Sequence, residues 1–517
     1  MQQARDLLGR REEAVRRRLA FMAHAAATTS WPMEVVPTGV PNLDRLLDGG
    51  LTRGGLVLIV GGPGTGKTVL AEQMAFHWAR QGRKVLWLVT PGEPNEKFLT
   101  HVSQMKFFDG RLVGDTLQII NLSRYLEKGR QAQMAVIRET VQGGDYGFVI
   151  IDGFQNVRCF LGGERDIRLF LSELGSELAL MGITPIITAD ASPERYWESS
   201  EFTMADTILA LERTTVEGCE ARQVHVLKER GRNNVVGPHA YTIDGGGLHV
   251  HPRAELLLQA GDAAMPTERL AFGVAGLDQM LKGGLLEGSA TLLAGGPGTG
   301  KTLLASQFLA EGVRQGQPGL YLAFFESPAH LLARADEFGM PLRQAHEAGL
   351  LHMKVFPSGC FDPDACMEEL AAMIEERKVR RLVLDGLEPV ERALRPANRA
   401  VDFLATLVRY LRWRGVTTVL TYELEESERA PFYPIWPLIS QVMGNLIMLR
   451  RIRTDTRWQR LLWVVKTRYS EHSDAVAELL ASEGRLEVIT DPAAVKQQPP
   501  DLVPVAFRDE PQAGHYR

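Results

Sequence analysis

The octapeptide Gly61-Gly62-Pro63-Gly64-Thr65-Gly66-Lys67-Thr68 follows an apolar run at 56–60 and opens an amphipathic stretch. The same eight residue types return 234 positions later as Gly295-Gly296-Pro297-Gly298-Thr299-Gly300-Lys301-Thr302. Both read G-x-x-x-x-G-K-[ST] between a strand and a helix, the setting in which this pattern has a mechanism. Its glycines let the backbone wrap closely around phosphates with successive amides pointing inward. Lys67 or Lys301 brings a cation to the β and γ oxygens, and Thr68 or Thr302 offers a hydroxyl to Mg2+. A chance Gly-rich turn would not recur at a matched offset, so the sequence predicts two sites for ATP and Mg2+.

The duplication reaches well beyond the loops. Thr38-Gly-Val-Pro-Asn-Leu-Asp44 with Gly49-Gly50-Leu51 recurs, again 234 residues on, as Phe272-Gly-Val-Ala-Gly-Leu-Asp278 with Gly283-Gly284-Leu285. Asp152, closing one apolar run, pairs with Asp385, closing another, at an offset of 233. A repeat fixes domain boundaries more firmly than composition does. The expected organisation is an Arg-rich helical arm over 1–30, a first domain over 31–255, a short linker at 259–266, a second domain over 262–490, and a Pro-rich tail over 491–517 expected to be disordered. The 517 residues, 45% of them hydrophobic, suffice for two cores. Short apolar runs at 56–60, 85–89, 148–151 and 185–188 alternate with longer amphipathic stretches, which predicts an α/β fold, a mainly parallel sheet with helices on both faces. Strand-rich portions at 207–211 and 223–228, mirrored at 446–450 and 461–466, suit antiparallel additions at one sheet edge.

The 58 Lys plus Arg against 63 Asp plus Glu leave a net charge of -5, which gives no bulk attraction to nucleic acid or acidic lipid. Cys159, Cys219, Cys360 and Cys366 are too few and too irregularly spaced for a disulfide framework or a zinc site and read as small hydrophobes of a reducing compartment. With no membrane-length apolar run and no signal-peptide core, the expected location is the cytoplasm, with no membrane partner.

Asp152 and Asp385 each end a strand, where a carboxylate can hold a metal-bound water. Neither is followed by glutamate, the next residues being Gly153 and Gly386. A base for hydrolysis must then come from elsewhere, typically the end of the neighbouring strand. In the second copy that strand leads to Glu326, which could orient attacking water. In the first copy Gly92 stands opposite. Glu93 falls opposite Ser327, and a one-residue step in an extended segment turns a side chain the other way. The two halves are therefore chemically unequal.

With tandem P-loops, the L-D-x-x-L-x-G-G-L preamble and a base expected on the second strand, the chain resembles the circadian clock KaiC family within the RecA-like ATPases, over most of 31–490. The resemblance implies two tandem RecA-like P-loop domains. It also implies a double-ring homohexamer binding ATP between subunits, weak ATPase activity, and serine/threonine autokinase and autophosphatase activity in the C-terminal ring. The family's adjacent glutamates after the second strand align with Phe325 and Glu326 in the second domain and with Pro91 and Gly92 in the first, so one of four is kept. The family's K-x-R-G strand, whose cations reach the nucleotide of the adjacent subunit, is matched fully by Lys228-Glu-Arg230-Gly231 and, except for its glycine, by Lys466-Thr-Arg468-Tyr469. The family's phosphorylated Ser and Thr align with Ser440 and Gln441, so a two-step phosphorylation cycle is not inherited intact.

Three functions compete. The first is an ATP-driven signalling enzyme with slow hydrolysis centred on Glu326, autophosphorylation at Ser440 and a signalling protein as partner. The second is a nucleotide-gated scaffold whose first ring hydrolyses little. The third, a DNA recombinase or helicase, needs basic loops facing a channel. The loops after Asp152 and Asp385 supply only Arg158 in one and Arg392, Arg395 and Arg399 in the other, which ranks nucleic acid last among the partners.

Overall fold

The computed structural model describes residues 33–90, 95–193, 199–216, 218–257, 268–356, 361–394, 399–424, 441–453, 458–482 and 484–490. The expected arm, linker and tail, together with Pro91, Gly92, Arg395 and Ser440, lie outside the described residues. The chain forms two compact units, Met1–Pro252 and Arg253–Arg517. Ala254 and Glu255 belong to the second because the Ala254 N–H donates to Asp364 at 3.0 Å and Glu255 pairs with Arg399 at 2.6 Å.

The first unit is built on strands β1 (Val57–Gly61), β2 (Lys84–Val89), β3 (Leu117–Asn121), β4 (Tyr146–Asp152), β5 (Thr184–Asp190), β6 (Thr207–Val216), β7 (Cys219–Glu229), β8 (His239–Asp244) and β9 (Gly247–His251). They make one nine-stranded sheet in the order β3-β2-β4-β5-β1-β6-β7-β8-β9. The second unit uses β10 (Ala290–Gly295), β11 (Gly319–Ala323), β12 (Leu351–Val355), β13 (Arg381–Asp385), β14 (Thr417–Glu423), β15 (Asn445–Arg453), β16 (Trp458–Thr467), β17 (Ala477–Ser482) and β18 (Arg485–Ile489). Its order, β12-β11-β13-β14-β10-β15-β16-β17-β18, is the same topology. Strands from β3 through β6 run parallel, and β7, β8 and β9 extend the sheet antiparallel. The expected edge is present, with one difference: β6 and β15 themselves lie parallel to the P-loop strand.

Why the core strands read as unbroken apolar runs is visible in the packing. Val57 and Ile59 of β1, Val85 and Trp87 of β2, and Phe148 and Ile150 of β4 face a core that includes Leu70, Met74 and Phe76 of the helix Lys67–Arg80. Their neighbours Leu58, Val60, Leu86, Leu88, Val149 and Ile151 face another core, with Met134 and Ile137 of the helix Arg130–Gln142 and Phe170 and Leu174 of the helix Glu164–Leu180. A parallel sheet covered on both faces leaves no polar side to alternate with. The second unit repeats this, with Leu293 and Val383 facing the helix Lys301–Arg314, while Leu292 and Leu382 face the helices Pro363–Arg377 and Ala400–Trp413.

The repeated preamble is a structural device. Asp44 accepts the Thr38 N–H at 2.8 Å, and Asp278 accepts those of Phe272 and Gly273 at 2.6 and 3.0 Å. The following glycines are required: Gly50 has φ 133°, and a Cβ there would lie 2.3 Å from the Val36 oxygen.

The cysteine reading needs correction. Cys219 is disulfide-bonded and so is not a free small hydrophobe, Cys159 is free and exposed, and Cys360 lies outside the described residues. Cys366 does pack against the second unit's core. Among the described residues no helix is long and apolar enough to cross a membrane.

Candidate functional site

Each P-loop leaves the carboxyl end of its sheet's central strand and turns into a helix through a left-handed glycine, Gly66 at φ 96° and Gly300 at φ 103°. A Cβ on Gly66 would lie 2.3 Å from Ile243 Cδ1, so only glycine fits the turn there. Thr65 and Thr299 brace the loops by donating to the Gly62 and Gly296 carbonyls at 2.9 and 2.8 Å. The lysines fold back along the loops. Lys67 Nζ donates to Gly61 and Gly62 oxygens, both at 2.9 Å, and Lys301 Nζ to those of Gly295 and Gly296 at 2.8 and 2.9 Å. Burial pushes the Lys301 ammonium below its ordinary value, opposed by the charges of Glu423 and Glu388.

The strand-end aspartates meet the loop threonines. Thr68 Oγ1 lies 3.0 Å from Asp152 Oδ2, and Thr302 Oγ1 lies 3.3 Å from Asp385 Oδ1. Each carboxylate is fixed by a further hydroxyl from the adjacent strand, Thr188 to Asp152 Oδ1 at 2.5 Å and Thr421 to Asp385 Oδ1 at 2.6 Å. The same hydroxyls accept the Gly153 and Gly386 N–H groups at 2.8 Å. The second unit adds Tyr321, whose hydroxyl donates to Asp385 Oδ2 at 2.7 Å; burial raises its phenol pKa, so it stays a donor. A hydroxyl and a carboxylate within hydrogen-bond reach, with hard oxygen donors only, fit Mg2+, which dehydrates reluctantly and takes few protein ligands. In the first unit these groups line a cavity of about 390 Å³ that also takes in Pro63, Gly64, Lys67 and Asp190, a size ordinary for a small-molecule site.

Sequence reasoning missed the residues that end β5 and β14. Asp190 Oδ1 lies 2.8 Å from Lys67 Nζ, and Glu423 Oε2 lies 3.6 Å from Lys301 Nζ. The signal was present, since these acids stand at the same 233-residue offset as Asp152 and Asp385. Glu388, three residues beyond Asp385, was also missed; burial pushes its carboxyl above the usual range.

Glu326 follows β11 by three residues, just before the helix Pro328–Glu337, and its charge reaches Tyr321, the partner of Asp385. The Lys-Arg pairs do not meet their own P-loops. Lys228 stands opposite Ile208, which is level with Leu58, three residues before Gly61. Lys466 stands opposite Leu446, level with Leu292, three residues before Gly295. Along a strand that is roughly 10 Å from the loop. Lys228 Nζ donates to the Thr203 carbonyl at 3.0 Å, and Arg230 pairs with Asp206 at 3.0 Å. Both lysines are pushed below their ordinary value by burial first and the neighbouring arginine second.

Of the arginines considered for nucleic acid, Arg158 is held by Glu164 and by Glu201, the latter at 2.7 Å, and Arg399 by Glu255 and Asp364 at 2.6 and 2.9 Å. Their charge is answered within the fold.

A parallel sheet carrying a G-x-x-x-x-G-K-T loop on its central strand, faced by a strand-end aspartate, and present twice, defines a tandem RecA-like P-loop ATPase. The sequence model of the KaiC ATPase family matches residues 36–255 and 270–493, and the chain belongs to that family. It is 25% identical to the circadian clock protein KaiC2 of Synechocystis sp., covering 88% of this chain and 81% of the relative. It is 27% identical to the circadian clock oscillator protein KaiC of Rippkaea orientalis, over 88% of each, and 26% identical to that of Thermostichus vulcanus, over 89% of this chain and 90% of the other.

Proposed function

We propose that the protein is an ATP-hydrolysing signalling ring in which ATP, with Mg2+, is bound at both P-loops and completed by cations from a neighbouring copy. The observation that carries this is the paired Thr68–Asp152 and Thr302–Asp385 contact at the mouth of each P-loop. Lys67 and Lys301 would hold the β and γ phosphates, and the loop amides the remaining oxygens. Thr68 with Asp152, and Thr302 with Asp385, would hold Mg2+, which would supply charge neutralisation to the phosphates. Glu326 would orient water at the second site.

Assembly is supported by position. Lys228 and Arg230, and likewise Lys466 and Arg468, sit at the opposite end of the P-loop strand from the loop itself. Each pair is out of reach of its own unit's P-loop, and a second copy would bring it to a γ-phosphate, where it would neutralise transition-state charge as an arginine finger does. A closed ring follows from a head-to-tail contact whose rotation closes, and a homohexamer is the proposed count. Ser440 is the proposed phosphoacceptor of an autokinase activity in the second ring, and a signalling protein is the proposed partner.

The scaffold reading is favoured for the first ring by one feature, the Pro91-Gly92 pair where a water-orienting carboxylate would stand. Phosphate release from the full chain and from its Lys67→Ala and Lys301→Ala forms separates the two. Turnover that persists in Lys67→Ala and vanishes in Lys301→Ala supports hydrolysis in the second ring with a scaffolding first ring. No turnover in any form, with ATP bound, contradicts the enzyme.

A further inference from the structure

A lysine ammonium has three N–H donors. Lys67 directs two at the Gly61 and Gly62 carbonyls and stands 2.8 Å from Asp190 Oδ1. Protein oxygens thus answer all three. The lysine side chain is 11% exposed and the aspartate 48%, so the carboxylate reaches the ammonium from the open side of the loop, the side from which a phosphate must also come. Asp190 is there because it ends β5, and the sheet register makes it the partner of Gly61. It is also clipped in place. The Gln155 side-chain amide donates to Asp190 Oδ2, and Gln155 Oε1 accepts the Asp190 N–H at 3.2 Å.

The second unit repeats the arrangement with different residue types. Glu423 ends β14 as the register partner of Gly295, and lies 3.6 Å from a Lys301 that already donates to Gly295 and Gly296. Its N–H donates to Glu388, which stands where Gln155 stands in the first unit. An accidental surface ion pair would not return at the same register of the same strand, with its acid and its clip both exchanged for other types.

We propose that Asp190 and Glu423 are internal latches that compete with the β and γ phosphates of ATP for the P-loop lysine, so that each lowers nucleotide affinity and speeds nucleotide release. The proposal rests on the reading of both loops as ATP sites. The first latch is the tighter, with the shorter ion pair and the two-point clip by Gln155; the second is loose. The fold thereby sets two nucleotide sites of one chain to different affinities without altering a residue of either octapeptide.

The test is equilibrium dialysis of ATP against the full chain, with Lys301→Ala added so that only the first site reports, and with Lys67→Ala added for the second. Asp190→Asn tightens ATP binding about three- to tenfold and slows release, since a partly exposed ion pair and an anion beside the phosphates are removed together. Asp190→Glu keeps the charge and stays within about twofold of the parent. Glu423→Gln tightens the second site by a smaller factor, about twofold. Gln155→Ala frees the latch without touching lysine or carboxylate and also tightens binding. Equal or weaker binding by Asp190→Asn at an unchanged melting temperature overturns the proposal; if that variant is destabilised, equal or weaker binding by Gln155→Ala overturns it. ATP binding that survives Lys67→Ala and Lys301→Ala together contradicts the site reading itself, whereas binding that needs the lysines but ignores Asp190 contradicts the latch alone.

Discussion

The indole of Trp78 lies flat on the ring of Phe148, with centroids 3.5 Å apart and planes 2° from parallel, and its Nε1–H donates to the Pro37 carbonyl at 2.7 Å. At the corresponding positions the second repeat has Gly312, Arg381 and Ala271. Arg381 is fully buried, stacks on Phe308 and donates to the Ala271 and Phe308 carbonyls at 2.8 and 2.9 Å. One space between helix and sheet is filled by two aromatic rings in one copy and by a long cation over a glycine in the other, with the preamble carbonyl answered in both.

That exchange predicts a stability effect confined to the second unit. A Cβ on Gly312 would sit 2.4 Å from Arg381 Cδ. Gly312→Ala is expected to destabilise by up to about 2 kcal/mol, an overpacking cost of about 1–3 kcal/mol offset by the roughly 1 kcal/mol gain in helix propensity. Arg381→Ala is expected to lose about 3 kcal/mol or more through the cavity and the lost donors. Thermal or denaturant unfolding checks both, and a neutral Arg381→Ala would contradict the account of this space.

Tyr469 adopts φ 64° where the first repeat has Gly231 at φ 77°. The glycine missing from the second Lys-x-Arg segment is thus missing from a position that still requires the left-handed region. Non-glycine residues are strained there by about 1–2 kcal/mol. Tyr469→Gly is expected to stabilise the chain by up to about 1 kcal/mol, the freer unfolded chain offsetting part of the gain. A fall in unfolding midpoint would contradict this.

Glu326→Gln is expected to reduce phosphate release at the second site by about 100-fold or more, the scale of lost general-base assistance. ATP affinity should stay within about threefold, since water is oriented only for the chemical step. Full turnover in this variant would remove Glu326 from the mechanism.

Arg468→Ala chains and Lys301→Ala chains should each hydrolyse poorly at the second site, yet mixtures should regain activity. Only a mixed assembly can place an intact P-loop against an intact arginine. Activity in the mixture no higher than the sum of the separate chains would contradict cations lent between copies.

Most of the fold was legible because the duplication made each half a control on the other. The octapeptides, the preamble and the strand-end aspartates recur at nearly constant offset, and the apolar runs belong to a sheet buried on both faces. The parallel pairing of β6 and β15 was not legible, since an apolar run carries no sign of strand direction. At the site, Lys67, Thr68 and Asp152 were readable from motif and context. Asp190 was marked only by its offset to Glu423; that it meets Lys67 follows from the register of β5 against β1, while Thr188 reaches Asp152 through β5 against β4 and Gln155 stands on the helix Phe154–Arg158. Cys219 escaped because spacing along a chain does not reveal which cysteines pair.

The most direct test is the number of ATP molecules bound per full chain at saturation, measured by equilibrium dialysis with Mg2+ present. Two per chain are expected for the unsubstituted protein, one for either Lys67→Ala or Lys301→Ala, and none for the double replacement. Two bound nucleotides persisting in the doubly substituted chain would contradict the assignment of both P-loops.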